Sequence, residues 1–97
     1  MTADGPAPVP SRATVRAPSP QGLHARPAAR IVDVARRFVA ETVLLVGPHT
    51  ARAKDLLDVL SLAAAGGTEV VLEGHGPDAG DAVAALEALF ARFHAEG

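Results

Sequence analysis

Cysteine is absent from this chain, which excludes disulfides and thiolate metal sites and fits an intracellular protein. Tryptophan and tyrosine are absent too, and phenylalanine occurs only three times, so Leu, Val and Ala must fill the core. No apolar run approaches the ~18 residues of a membrane-spanning helix, and no membrane insertion is expected. There is no basic-then-apolar export signal either. Residues 1–12 hold three prolines (Pro6, Pro8 and Pro10) and read as a flexible N-terminal lead to one domain, residues 13–97. A chain of 97 residues can build one core without staples.

Positive charge is scarce in the second half and plentiful in the first. Residues 1–54 carry eight Lys/Arg against three Asp/Glu, whereas residues 55–97 carry one against eight. No aromatic side chains stud the basic half, so nucleic acid is not the expected partner. A basic half suits a phosphate site and an acidic protein partner.

The apolar spacing lays out seven elements. Residues 13–17 alternate as a short strand, stopped by Pro18 and Pro20. A helix is expected from about Arg26 to Arg37, with Ala28, Ile31, Ala35 and Phe38 on one face and Arg30, Asp33, Arg36 and Arg37 outside. Strands at 41–46 and 49–53 are joined by Gly47-Pro48. Asp55 stands where a cap belongs, three residues before Asp58, for a helix over about 56–64 that stops at Gly66-Gly67. That helix carries two apolar stripes: Leu56, Val59, Leu62 and Ala63 toward a core, Leu57 and Leu60 on another side. Either it is well buried, or the second stripe docks a partner. A strand at 69–73 and a last helix from Pro77-Asp78 to about His94 complete the chain; Asp78 and Asp81 form a partial capping box. The order βαββαβα predicts an α+β domain, an antiparallel sheet with helices on one face.

The stretch that organises the chain is Gln21-Gly22-Leu23-His24-Ala25-Arg26-Pro27-Ala28-Ala29. Gly22 permits a turn, and Pro27 belongs in a first helical turn, where its missing N–H is no loss. His24 then sits at or just before a helix start, beside the unpaired amides of Ala25 and Arg26 and the positive end of the helix dipole, where phosphate is stabilised. Arg26 adds a guanidinium suited to phosphate oxygens. Neutral imidazole is a competent nucleophile near pH 7 and can hold a transferred group covalently.

Gly22-Leu23-His24-Ala25-Arg26-Pro27-Ala28-Ala29 resembles the active-site motif of the histidine-containing phosphocarrier proteins (HPr) of the bacterial phosphotransferase system. The resemblance continues through Ala51-Arg52-Ala53-Lys54-Asp55-Leu56 and Gly76-Pro77-Asp78-Ala79, over about residues 13–96. It implies an open-faced β-sandwich of four antiparallel strands with three helices on one face. It also implies a cytoplasmic, monomeric carrier without a cofactor, which takes a phosphoryl group on Nδ1 of His24 from enzyme I and passes it to an enzyme IIA-type protein for sugar uptake. Arg26 and the amides of Ala25 and Arg26 would hold the phosphate, and Arg30, Lys54, Leu56, Leu57 and Leu60 would form the docking face. Many family members carry at position 55 a serine that a kinase modifies. Asp55 here either tempers transfer permanently or only caps its helix. A regulatory, nitrogen-related relay is the alternative within the family, and a non-catalytic binding module the alternative outside it.

Other sites are set aside. His49, His75 and His94 lack metal-ligand spacing, and no metal is expected. Gly66-Gly67 and Gly74-His75-Gly76 lack the lysine and the strand-to-helix setting of a nucleotide loop. Ser19 and Ser61 have no neighbouring base for a hydrolase triad.

Overall fold

A computed structural model describes residues 10–18 and 22–96 of the chain. Most of the expected lead, with Ser19, Pro20 and Gln21, lies outside them. The elements are β1 (Ser11–Arg16), α1 (Ala25–Ala35), β2 (Glu41–Val46), β3 (His49–Arg52), α2 (Leu56–Ser61), β4 (Glu69–His75) and α3 (Ala79–Glu96). The four strands form one antiparallel sheet in the order β1-β4-β2-β3.

Side chains alternate across each strand, as a sheet with one covered face requires. Ala13, Val15, Leu44, Ala51, Val70 and Leu72 point into one core with Ile31, Val59, Leu86, Leu89 and Phe90 of the helices. Thr14, Val71, Leu45 and Thr50 face the other way in one cross-strand row. The antiparallel sheet with helices on one face expected from the pattern, and the open-faced sandwich the resemblance implies, are the fold found.

Element ends differ from expectation where long-range contacts decide. β1 begins two residues early, at Ser11, and stops at Arg16. α1 starts and ends earlier than the expected 26–37, and β4 runs on to His75. α2 stops at Ser61, not near Ala64, because Ala63 adopts φ +48 and turns its Cβ to solvent instead of the core. The last helix opens at Ala79, with Asp78 as its lead-in: the Ala82 amide donates to the Asp78 carbonyl at 2.9 Å. The Asp78 carboxylate accepts from the amides of Ala40 (2.7 Å) and Val39 (3.0 Å), far from it in the chain. Those amides, the Ala40 amide foremost, hold its carboxyl below the usual carboxylate range. Its contribution to stability is therefore present above that range and lost as pH falls through the lowered value.

Thr42 faces the core from β2 at 1% exposure, and its Oγ1 has no hydrogen-bond partner among the described residues. A buried hydroxyl without a partner costs about 1–3 kcal/mol. Thr42→Val, nearly equal in shape, is expected to raise stability by about 1 kcal/mol, or roughly 4–8 °C in Tm for a domain of this size. A lowered urea midpoint would mean that the hydroxyl does satisfy its bonding.

Candidate functional site

The start of α1 is built by a loop held at both ends. At one end, the Ala17 amide donates to the Thr68 carbonyl (2.8 Å) and the Ala17 carbonyl accepts from the Gly67 amide (3.0 Å). At the other, the Leu23 amide donates to the Ala64 carbonyl at 2.9 Å, with the Leu23 side chain buried. Gly22 lies flat against the same linker at φ +73, and any Cβ there would overlap the Ala64 carbonyl oxygen. The residue after Leu23 is thereby set on the surface.

That residue is His24, the N-cap of α1, with extended backbone (φ −95°, ψ −172°). Its carbonyl accepts the Ala28 amide at 3.0 Å, while its ring makes no capping bond and stays exposed. The amides of Ala25 and Arg26 open the helix with no carbonyl of an earlier helical turn behind them. Pro27, in the same turn, has no N–H to orphan. The first turn holds no acidic residue, and Arg26 is exposed within it. An incoming phosphate thus meets amides, the positive helix end and a guanidinium, with no like charge on that turn. Among the described residues no group of three His, Cys, Asp or Glu is placed to hold a metal ion.

The remaining candidates divide between the two ends of the α1–α2 pair. The helices run antiparallel. Ala64, past the end of α2, meets the start of α1, and Arg36, past the end of α1, donates from Nε to the Lys54 carbonyl (3.1 Å) just before α2. The 11 residues of α1 put about 16 Å between those ends. Lys54 and Asp55 therefore lie far from His24. Lys54 Nζ is engaged by Glu41 Oε2 (3.4 Å) and the Val39 carbonyl (3.5 Å). Asp55 caps α2, its Oδ1 accepting the Asp58 amide at 3.1 Å, and its Oδ2 accepts from Arg52 Nη2 at 3.0 Å. The Arg52 amide and guanidinium both bind Asp58 Oδ2 and lower that carboxyl's pKa, the amide contributing most.

At its start, beside Asp55, α2 shows Leu57 to solvent at 77% exposure and Leu56 at 38%. Leu56 is thus on the surface and not in the core stripe. Leu60, expected outside, is half-buried against the core: a helix this short presses its flanks onto its neighbours. Arg30, one turn beyond Arg26, lies over the Phe93 ring of α3 at 5.2 Å from its centroid. Sequence reasoning passed over the linker at Ala64–Gly66, because it acts through backbone atoms that no side-chain pattern announces.

The family model described as "PTS HPr component phosphorylation site" matches residues 11–92. The phosphocarrier protein HPr of Treponema pallidum is 42% identical over 77 residues, 79% of this chain and 88% of that protein. Among solved structures, an HPr from Thermoanaerobacter tengcongensis superposes with a TM-score of 0.83 at 30% identity, covering 90% of this chain and 98% of that one. The Bacillus subtilis protein Crh, described as a dimer with a swapped domain, gives 0.70 at 36% identity over 76% of this chain and 85% of its own.

Proposed function

This chain belongs to the HPr family of phosphocarrier proteins of the phosphotransferase system, and from that premise we propose that it carries a phosphoryl group on His24. It accepts the group from phosphorylated enzyme I and hands it to an enzyme IIA-type acceptor for sugar uptake, acting in the cytoplasm as a monomer. The observation that carries this reading is an exposed imidazole at the N-cap of α1, followed by two amide donors and Arg26. A neutral ring nitrogen, Nδ1 by family likeness, attacks phosphorus; the N–P bond forms as the donor's bond to phosphorus breaks. Positioning and charge neutralisation dominate such transfers, and a small rigid module can supply both. The test is incubation with phosphoenolpyruvate and enzyme I, read by intact mass. One added phosphate supports the role, and none refutes it.

The exposed leucines of α2, with Arg26 and Arg30 of α1, form the docking face in this reading. Leu57→Ala is expected to weaken enzyme I binding while changing stability by less than about 0.5 kcal/mol. Leu60→Ala, half-buried, should instead cost about 1–2 kcal/mol, below the ~2–5 of a fully buried leucine. Titration against enzyme I and urea denaturation measure the two effects. Undiminished binding by Leu57→Ala would remove it from the interface.

Asp55 is a helix cap whose charge is taken up by Arg52. Serine caps about as well as aspartate. Asp55→Ser should therefore match the parent in stability and in phosphorylation rate at low ionic strength. A faster variant at low salt, with the gap closing as salt rises, would assign Asp55 a tempering role through exposed-charge repulsion.

A further inference from the structure

Of the four histidines, His94 shares the His24 end of the fold. Its Nε2 lies 3.0 Å from the Arg16 carbonyl oxygen, a contact between residues 78 apart in the chain. A carbonyl only accepts, so Nε2 of His94 carries the proton and donates. β1 is an edge strand, and an edge leaves some backbone groups without a sheet partner; His94 satisfies one of them at the strand's last residue. The next residue, Ala17, begins the loop that ends at His24. The Arg16 side chain also donates to the Gly67 carbonyl, at 3.2 Å.

The platform beneath His94 is firm. Phe93 is buried, stacks edge-on with Phe90 at 5.4 Å and lies under the Arg30 guanidinium of α1. The last turn of α3 is thus fixed against the helix whose first turn presents His24, and His94 joins it to the strand that leads into the His24 loop. We infer that His94 is a positioning residue for His24: by tying the end of β1 to α3 through the Arg16 carbonyl, it steadies Ala17 and Pro18, whose carbonyl accepts the Gly22 amide at 2.7 Å, and through them the Gly22–Leu23 turn that presents the imidazole.

The test compares His94→Leu, which fills similar space without a donor, with His94→Gln, whose side-chain N–H lies the same number of bonds from the backbone. Hydrogen exchange by NMR on unphosphorylated protein reads the tie directly. In His94→Leu the Ala17, Gly22 and Leu23 amides should exchange roughly two- to tenfold faster, as for one lost hydrogen bond, with β2 and β4 unchanged. Phosphoryl transfer from enzyme I should slow by a similar factor, and His94→Gln should restore both. Unaltered loop exchange in His94→Leu, unaltered transfer, or a Gln variant no better than Leu would overturn the assignment. The transfer arm rests on the carrier role, which falls if the parent protein takes no phosphate; loop exchange then decides the tie alone.

Discussion

Replacing His24 with alanine is expected to abolish phosphorylation by enzyme I. No other nucleophilic side chain among the described residues is exposed at the first turn of α1, and alanine offers no nucleophile to accept the group. The phosphate on the parent protein should be lost in acid and kept in base, as expected for a phosphoramidate. Variants of His49 and His75 should still take one phosphate, because one ring sits on the β2–β3 hairpin and the other pairs with Glu73 at 2.9 Å. Arg26→Ala separates chemistry from acceptance: it keeps the nucleophile and removes a charge-assisted contact of ~1.5–3 kcal/mol, slowing transfer roughly ten- to a hundredfold. Intact-mass measurement over time checks all of these. A fully labelled His24→Ala would place the phosphate elsewhere.

Gly22→Ala should be the most damaging single methyl in the molecule. The left-handed backbone costs an L side chain about 1–2 kcal/mol. The added Cβ also meets Ala65 C and Gly66 N at 2.9 Å, besides overlapping the Ala64 carbonyl oxygen. Overpacking of this kind typically costs a further ~1–3 kcal/mol. A loss of ~2–5 kcal/mol takes a large share of the ~5–15 of a small domain. Because the linker must move aside, the Leu23–Ala64 hydrogen bond should go with it, and folded protein should accept phosphate more slowly. Gly47 is the control. It is also left-handed, at φ +56, but nothing lies within 4 Å of where its Cβ would be. Gly47→Asn should therefore change the urea midpoint little, since asparagine tolerates that backbone. Similar midpoints for the two variants would show that the clash at Gly22 is relieved at no cost.

How much of this was legible in the sequence follows the distance over which each feature is decided. The His24–Pro27 site is local: a cap position, two free amides and a proline inside the first turn are all set within one turn of helix. The β2–β3 hairpin is equally local, announced by Gly47-Pro48. The end of α2 is not. Gly66-Gly67 looked like the stop, but the chain leaves the helix earlier, through Ala63 at φ +48. No residue type signals that turn; it brings the Ala64 carbonyl to Leu23, from another part of the fold. The Lys54 side chain is set over distance too: it adjoins the leucines in sequence, while Glu41 and the Val39 carbonyl, from another part of the chain, engage its ammonium. Asp78 looked like a conventional cap, and its carboxylate serves two amides from residues 39 and 40 instead.

The strand order has a consequence for how the protein comes into being. β1 is the first element made, yet its sheet neighbour is β4, with Thr14 opposite Val71 and Arg12 paired to Glu73 across 61 residues of chain. Closing so long a loop is entropically slow, and nothing nearer in the sheet can hold β1 meanwhile. On a ribosome synthesising from the N-terminus, α1 and the β2–β3 hairpin can assemble while β1 still waits for its partner. The loop carrying His24 is anchored at Ala17 by residues 67 and 68 and at Leu23 by Ala64, so its tethers are translated long after the histidine itself. The nascent chain therefore holds His24 from early in synthesis but gains the tethers that present it only when residues 64–68, and last of all His94, have emerged.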